Sequence, residues 1–301
     1  MGGKPTGTLP TLTIRQHRSH PGPPRGNASA ADRSGLADEY IALLKGAVAH
    51  TLYADGDQGL YFRRNLPARG LLALLRACGI VPLRTGARAA RAREHGRDWP
   101  VFAQTMIGTT RLDSLQDCVD DVLRSEVPGD LIEAGVWRGG AAIFMRGILE
   151  ARGADDRLVW VCDSFEGLPE PDPAVRADVE GERWHKLAHL RVSEEEVRQN
   201  FARYGLLDER VRFVKGWFKD TLPRLSDRRW ALIRLDGDMY QSTMDGLTHL
   251  YPRLSPGGYL VVDDYAVDAC RRAVDDYREA NGVPEPLQKI DWTGVYWQKS
   301  R

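Results

Sequence analysis

Asp130-Leu-Ile-Glu-Ala-Gly-Val-Trp-Arg-Gly-Gly-Ala-Ala-Ile-Phe144 is the stretch that decides the fold of this chain. Its apolar start predicts a β-strand, its glycines (Gly135, Gly139 and Gly140) predict a tight turn, and its apolar continuation predicts a helix. A helix N-terminus leaves backbone N–H groups unpaired, and glycine lets a ligand approach the backbone closely. The stretch therefore predicts a ligand-binding turn between a strand and a helix.

The turn departs from the dinucleotide-binding fingerprint G-x-G-x-x-G. It reads Glu133-x-Gly135-x-x-x-Gly139, with Trp137 where a second glycine would fall. The acid two residues before the first glycine favours a ligand that offers a cation or a hydroxyl at that point. S-adenosylmethionine, which carries an ammonium and a sulfonium group, is such a ligand. The alternative is that the glycines serve only to pack the helix on the strand.

Strands and helices alternate from this stretch to the end of the chain. The predicted parallel strands are Asp130–Ala134, Arg157–Asp163, Val211–Lys215, Trp230–Asp236 and Tyr259–Asp263. Ser255-Pro-Gly-Gly258 is predicted to turn the chain into the last of these. Leu287–Ile290 and Gly294–Gln298 are predicted to form a final antiparallel hairpin. The alternation predicts an α/β, Rossmann-like fold with a doubly wound, mostly parallel sheet.

The sequence ahead of the alternating region differs from it in composition. Residues 1–35 are rich in Gly, Pro, Ser, Arg and His and predict a disordered tail. Residues 36–104 predict a helical extension, with helices from Leu36 and over Pro67–Cys78. The arginine-rich stretch Arg84–Arg97 within it predicts a solvated helix or loop, with a contact to an anionic ligand as the alternative. Residues 105–301 form the main domain, in which the insertion at 164–200 predicts a lid.

Bulk composition excludes several classes of partner. Lys and Arg number 42, as do Asp and Glu, so no net field favours nucleic acid or membrane. No apolar run approaches the roughly 20 residues that span a bilayer, and the N-terminus shows no secretory signal pattern. The four cysteines are scattered, which favours a reducing compartment. We expect a cytoplasmic protein that binds neither nucleic acid nor membrane and forms a homo-oligomer, a dimer or larger.

Acidic residues stand at the ends of four predicted strands, and ligands of open α/β sheets bind outside those ends. Asp163 ends the second strand, where an acid accepts hydrogen bonds from a ribose diol; capping its own turn is the alternative. Asp236, Asp263 and Asp264 end two strands that should be neighbours. Because three close carboxylates repel one another, they predict a hard divalent cation, Mg²⁺ first, with Mn²⁺ or Ca²⁺ as alternatives. For Asp238 two roles stay open, which are a contact to the cofactor and a cap on the helix that follows.

Five motifs together resemble the macrocin O-methyltransferase (TylF-like) family, from about Leu36 to the C-terminus. They are Thr105-Met-Ile-Gly-x-x-Arg-Leu-Asp, Asp130-Leu-Ile-Glu-Ala-Gly-Val-Trp-Arg-Gly-Gly, Asp163-Ser-Phe-Glu-Gly-Leu-Pro, Leu235-Asp-Gly-Asp-Met-Tyr-x-Ser-Thr and Pro256-Gly-Gly-Tyr-x-x-x-Asp-Asp-Tyr265. The resemblance implies a class I methyltransferase fold with seven strands, the last antiparallel. It also implies S-adenosylmethionine, Mg²⁺ and, as acceptor, a sugar hydroxyl on a glycosylated natural product of antibiotic biosynthesis.

The resemblance also implies roles for particular residues. The cofactor contacts it implies are Glu133, Gly135, Trp137, Arg138 and Gly139 at the methionine part, Asp163 and Ser164 at the ribose, Thr105 and Met106 over the cofactor, and Gly216, Trp217 and Phe218 near the adenine. Asp236, Asp263 and Asp264 match the metal ligands, and Asp236 matches the base.

Several alternatives to this assignment stay open. Catechol-type methyltransferases use a lysine three residues past the first metal aspartate, and here that residue is Met239. A phenolic or other non-sugar hydroxyl is nevertheless the alternative acceptor, and His185 or His189 of the insertion is the alternative base. A nicotinamide-dependent oxidoreductase and a non-catalytic binding module are the alternatives outside the methyltransferases.

Overall fold

The structure of the chain is a computed structural model. It describes residues 30–52, 58–59, 70, 74–75, 77–80, 83–84, 86–171, 173, 175 and 184–301. The predicted tail up to residue 29, most of the helix predicted over Pro67–Cys78 and part of the 164–200 insertion therefore lie outside the described residues.

A seven-stranded sheet forms the centre of the described part of the chain. The first two strands of the chain, β1 (Gln58–Gly59) and β2 (Leu83–Arg84), form a separate antiparallel ladder. The strands of the large sheet are β3 (Asp130–Ala134), β4 (Val159–Asp163), β5 (Val211–Lys215), β6 (Trp230–Leu235), β7 (Leu254–Val262), β8 (Gln288–Lys289) and β9 (Val295–Gln298). Their order is β5-β4-β3-β6-β7-β9-β8, and β9 runs antiparallel to both β7 and β8. The predicted seven-stranded, mostly parallel sheet is confirmed.

Helices cover both faces of this sheet. The described helices are α1 (Ala30–Val48), α2 (Ala87–Glu94), α3 (Thr109–Arg124), α4 (Gly140–Arg152), α5 (Glu194–Arg203), α6 (Phe218–Thr221), α7 (Tyr240–Leu250) and α8 (Asp268–Ala280). On one face α4 packs on the sheet through Ile143 and Phe144, and α1 lies over α4. On the other face α7 and α8 pack against Trp230 and Trp297. None of these helices is long and apolar enough to cross a membrane.

The sheet register brings the ends of four parallel strands to one edge. Ala134 of β3 pairs with Cys162 of β4 and with Leu235 of β6, and Leu235 pairs with Val262 of β7. The residues that follow this row are Gly135, Asp163, Asp236 and Asp263. Because β4 and β6 lie on opposite sides of β3, the strand order reverses here, which is where open α/β sheets bind their ligands.

Three elements differ from their predictions. Ser255–Gly258 was predicted as a turn, but β7 runs through it as a bulge, with a register shift against β6 between Trp230 and Leu232. A bulge suits Pro256, which has no N–H to donate to a ladder. Helix α1 starts earlier than predicted, at Ala30 and not at Leu36. The region predicted as a purely helical extension also contains the short β1–β2 ladder.

Candidate active site

A cavity of about 1230 Å³ opens at the edge where the four strands end. It is lined on one side by the glycine turn after β3 and on the other by the acids after β6 and β7. Of the predicted site residues, those that line it are Thr105, Met106, Glu133, Gly135, Trp137, Asp163, Ser164, Trp217, Phe218, Asp236, Asp263 and Asp264. The two predicted halves of the site therefore face a single cavity.

Gly135 allows the glycine turn to lie directly against β6. Its φ is +89°, a conformation that favours glycine, and a β-carbon placed there would lie 1.9 Å from the main-chain oxygen of Asp236. Its N–H donates to the main-chain oxygen of Cys162 at 2.9 Å, which continues the ladder to β4. A larger residue at this position would therefore push the turn and the end of β6 apart.

Gly135→Ala is expected to destabilise the protein by more than the roughly 1–2 kcal/mol that a left-handed conformation costs, because the new methyl group overlaps the Asp236 backbone. Equilibrium urea unfolding measures the change. Gly153→Ala is the matched control, since Gly153 also has positive φ (+69°) but has nothing within 4 Å of its β-carbon position. Equal losses of stability in the two variants would contradict the steric argument.

Asp163 is a fixed carboxylate between the turns that follow β3 and β4. Its Oδ2 accepts from the Val136 N–H at 2.8 Å, and its Oδ1 accepts from the Phe165 N–H at 2.7 Å. Burial raises the pKa of Asp163, and these backbone donors oppose that rise. Capping of its own turn, the alternative considered from the sequence, is thus part of its role. The Ser164 hydroxyl also donates to Oδ1, at 3.4 Å, so Oδ2 is the oxygen with more capacity for a further donor from the cavity.

Three predicted cofactor residues do not line the cavity. Arg138 points away from it, donating to the main-chain oxygens of Val101 at 2.7 Å and Ala103 at 3.1 Å. Gly139 precedes α4 with φ +83°, and Gly216 turns the chain after β5 with φ +138°. Their visible roles are to shape the segments that carry Trp137 and Trp217.

Thr105 and Met106 form part of the cavity wall, and their segment is anchored from behind by α2. Arg93, which is fully buried, donates to the main-chain oxygens of Met106 and Ile107, both at 2.6 Å. Asp98 pairs with the same guanidinium at 3.1 Å. One arginine of the stretch expected to be solvated is therefore a buried anchor, because its Nη2 donates to two backbone oxygens and its charge is paired with Asp98.

Three carboxylates cluster on the other side of the cavity. Asp236, Asp238 and Asp264 each offer an oxygen, and these oxygens lie within 4.8 Å of one another. Asp238 has a positive φ of +55°, and its N–H donates to Asp264 Oδ2 at 3.3 Å. The structure thus brings together two of the three predicted metal ligands, with Asp238 beside them.

Asp263, the remaining predicted ligand, is turned towards arginines. Its Oδ2 binds Arg111 of α3, and its Oδ1 lies 2.6 Å from Nη2 of Arg234. The side chain is 7% exposed. Because both of its oxygens bind guanidinium groups, Asp263 is not part of the carboxylate cluster, whereas Asp238 is.

Arg234 links three acids from three strands. From the middle of β6 its Nη1 donates to Glu133 of β3 and, at 2.9 Å, to Asp236, while its Nη2 binds Asp263. Only 2% of its side chain is exposed. Reasoning from the sequence missed both Arg234 and Arg111. For Arg234 a signal was present, since an arginine inside the apolar strand Trp230-Ala-Leu-Ile-Arg-Leu235 needs buried acids as partners.

The three clustered acids Asp236, Asp238 and Asp264 have raised pKa values. Burial raises the pKa of Asp264 and of Asp238 well above the ordinary range, and the neighbouring acids add to it. Burial also raises the pKa of Asp236, where Asp263 adds to the rise and Arg234 opposes it. The two guanidiniums therefore leave this group of acids short of positive charge, which a bound cation would offset.

Glu133 presents an unsatisfied oxygen in the cavity wall. Its Oε1 binds Arg234, but its Oε2 is buried with no hydrogen-bond partner among the described residues. Burial raises the pKa of Glu133 to about 8, although Arg234 lowers it. A buried, unpartnered acceptor at the cavity is the position at which a ligand donor or cation is best accommodated.

In its described part, the insertion at 164–200 contributes six residues to the wall, which are Ser164, Gly167, Leu168, Pro169, Trp184 and Leu190. His185 and His189 are not among the described residues that line the cavity, and the main-chain oxygen of His189 accepts from Trp137 Nε1 at 3.0 Å. That this insertion is a lid stays a prediction, which hydrogen exchange with and without bound ligands tests.

Several known proteins that are similar to this chain in sequence or structure are O-methyltransferases. A family model described as Macrocin-O-methyltransferase (TylF) matches residues 37–299. The chain is 56% identical over 214 residues to the 8-demethyl-8-(2,3-dimethoxy-alpha-L-rhamnosyl)-tetracenomycin-C 4'-O-methyltransferase of Streptomyces olivaceus, covering 71% of this chain and 82% of the relative. It is 46% identical over 264 residues to the mycinamicin III 3''-O-methyltransferase of Micromonospora griseorubida, covering 87% of this chain and 96% of the relative.

A solved structure extends this similarity to three dimensions. The O-methyltransferase NovP is 44% identical in sequence and superposes with a TM-score of 0.75, covering 88% of this chain and 100% of that chain. The match over residues 37–299 spans the sheet, both sides of the cavity and most of α1. The chain is thus an enzyme of the methyltransferase type and belongs to the macrocin O-methyltransferase (TylF) family.

Proposed function

We propose that this protein transfers a methyl group from S-adenosylmethionine to a sugar hydroxyl of a glycosylated natural product in antibiotic biosynthesis, with the help of Mg²⁺. The observation that carries the proposal is the single cavity in which the glycine turn and Asp163 face the cluster of Asp236, Asp238 and Asp264. The names of the relatives support the acceptor class, because one describes a rhamnosyl-tetracenomycin.

The cofactor half of the cavity fits S-adenosylmethionine, which supplies the transferable methyl group. The buried, unpartnered Oε2 of Glu133 suits an ammonium donor, and Asp163 has acceptor capacity for a ribose diol. Trp217 and Phe218 line the same half and offer flat apolar surface of the kind that contacts a base. The chain thus binds and orients the donor with one end towards the acidic cluster.

The acidic half of the cavity fits a hard divalent cation. Carboxylate oxygens are the ligands that Mg²⁺ prefers. Of the three clustered acids, only Asp236 forms an ion pair in the described part of the chain, with Arg234. Asp236 and Asp264 would hold the ion, with Asp238 as the third carboxylate in the arrangement seen here and Asp263 held by Arg111 and Arg234. A bound divalent cation supplies positive charge that lowers the pKa of a hydroxyl beside it.

Asp236 is the residue we assign as general base. Its side chain is 30% exposed to the cavity, and Arg234 holds its Oδ2 at 2.9 Å, which orients the carboxylate. It lies at the switch point, beside the glycine turn that would hold the methyl donor. The carboxylate would take the proton of the acceptor hydroxyl as the oxygen forms its bond to the methyl carbon and the bond between that carbon and the sulfonium sulfur breaks, which leaves S-adenosylhomocysteine. A phenolic or other non-sugar hydroxyl remains the second candidate acceptor.

Isothermal titration calorimetry tests the cofactor assignment. We expect S-adenosylmethionine and S-adenosylhomocysteine to bind the protein and NAD to give no heat of binding, because the turn lacks the dinucleotide fingerprint and has Glu133 in its wall. Binding of NAD without binding of S-adenosylmethionine would overturn the assignment.

Removal of the cation is expected to stop turnover. EDTA should abolish methyl transfer and added Mg²⁺ should restore it, because Arg234, through Asp236, is the one cationic partner that the described residues offer to the three clustered acids. Asp238→Asn should raise the Mg²⁺ concentration needed for half-maximal rate more than Asp263→Asn does, because Asp263 is bound by two arginines. Full activity in EDTA would remove the ion from the proposal, and the reverse order of the two variants would make Asp263 the third ligand.

A further inference from the structure

The arginine-rich stretch separates into arginines with different surroundings. Arg93 is buried and anchors the segment around Met106. Arg88 and Arg91 are exposed on α2. Arg97, beyond the end of this helix, is also exposed, and it lines the cavity. Among the described arginines of this stretch, Arg97 is the one whose charge faces the site.

Arg97 is stacked on an exposed tryptophan of the loop between β8 and β9. The guanidinium carbon of Arg97 lies 5.3 Å from the ring centre of Trp292, which is 43% exposed and lines the same cavity. The Nε1–H of Trp292 donates to the main-chain oxygen of His95 at 2.9 Å. The indole and the guanidinium therefore hold each other in place at the mouth of the cavity.

This pair is tied to the acidic edge of the sheet. The hydroxyl of Thr293, the next residue, donates to the main-chain oxygen of Asp263 at 3.0 Å. The Asp291 carboxylate accepts from the N–H groups of Thr293 at 2.9 Å and Gly294 at 2.8 Å, which closes the loop into a turn. The position of Trp292 relative to the acids after β7 is thus set by direct contacts.

The guanidinium of Arg97 has N–H donors available for a ligand. No carboxylate in the described part of the chain forms an ion pair with it, whereas Arg111 beside Trp292 is held by Asp263 and Asp291. An anionic ligand is disfavoured here, because the adjoining wall carries Asp236, Asp238 and Asp264. A neutral ligand with oxygen acceptors and an apolar face suits both members of the pair. A pyranose ring has this chemistry, with C–H groups on its faces and oxygens at its rim.

We propose that Arg97 and Trp292 form the subsite that binds the sugar ring of the acceptor, with the indole against a C–H face of a neutral pyranoside and the guanidinium donating to its oxygens. The inference rests on the proposed function and narrows its acceptor to a pyranoside. Both residues bind the ring without touching the reacting atoms, so they determine specificity for the acceptor and leave the binding of the methyl donor unchanged.

Saturation-transfer NMR with methyl α-L-rhamnopyranoside as probe tests the subsite, on protein saturated with S-adenosylhomocysteine and Mg²⁺. We expect transfer to the ring protons in the wild type. Trp292→Ala and Arg97→Ala should each raise the dissociation constant of the probe by roughly tenfold or more, as for the loss of a charged hydrogen bond. Arg88→Ala is the matched control and should leave it unchanged, because Arg88 is exposed and does not line the cavity.

Two further measurements separate this inference from the proposed function. S-adenosylhomocysteine binding by calorimetry should be equal in all four proteins, and its absence in the wild type would count against the proposed function itself. If S-adenosylhomocysteine binds, two results would overturn the proposed subsite. One is that the wild type does not bind the rhamnoside, and the other is that Trp292→Ala and Arg97→Ala both bind it as tightly as the wild type does. Catechol binding that depends on Trp292 while the rhamnoside does not bind would assign the pair to a planar aromatic acceptor. Arg97→Ala alters an exposed side chain, so folding does not limit the test.

Discussion

Asp236→Asn is expected to lower the turnover number by roughly 10²–10⁴-fold, the range for removal of a general base, while S-adenosylmethionine binding stays close to that of the wild type. Asparagine keeps the shape of the side chain and an oxygen for Arg234, but it cannot accept a proton from the acceptor hydroxyl. Single-turnover rates and calorimetric titration of the cofactor measure the two effects separately.

The matched control for this variant is Asp227→Asn, which makes the same substitution at a side chain that is 69% exposed ahead of β6, at the opposite end of the strand from the site. Excess Mg²⁺ should not restore Asp236→Asn, because a higher ion concentration does not replace a lost proton acceptor. Restoration by Mg²⁺ alone would show that Asp236 acts only as a ligand and would move the base to another residue.

Arg234→Met is expected to lower the free energy of unfolding by about 3–5 kcal/mol, the usual cost of removing one partner from a buried ion pair. Without the guanidinium, Glu133, Asp236 and Asp263 lose their shared positive partner at the centre of the sheet. The midpoint of urea unfolding, at unchanged slope, measures the loss. Turnover should fall as well, because Asp236 is no longer oriented.

Arg212→Met provides the comparison for this prediction, since Arg212 is an exposed arginine on β5 and surface substitutions stay within roughly 0.5 kcal/mol. Arg234→Lys should lie between the two, because lysine keeps the charge but lacks the planar fork that reaches several carboxylates at once. Equal stability of Arg234→Met and the wild type would show that these acids are neutral in the folded protein and need no cation.

The order of the parallel strands along the chain, the type of the main sheet and the edge at which the candidate site lies could be predicted from the sequence. The strand β3 and the strand β5 have the predicted bounds, because runs of apolar residues between turn signals are local features of the chain. Acids directly after those runs must meet at one edge once the strands are parallel. The positions of Asp163 and Asp236 at the cavity, next to Gly135, followed from that rule alone.

The partners that those acids take could not be predicted from the sequence, because they come from distant parts of the chain. Asp263 and Asp264 are neighbours in sequence, yet the side chain of Asp263 meets Arg111 from a helix 152 positions earlier, while that of Asp264 joins Asp236 and Asp238. The role of Arg97 likewise depends on Trp292, which lies far along the chain. Ion pairs inside a fold form between side chains that the packing brings within a few ångströms of each other. Local sequence patterns do not contain the distances between residues that are far apart in the chain.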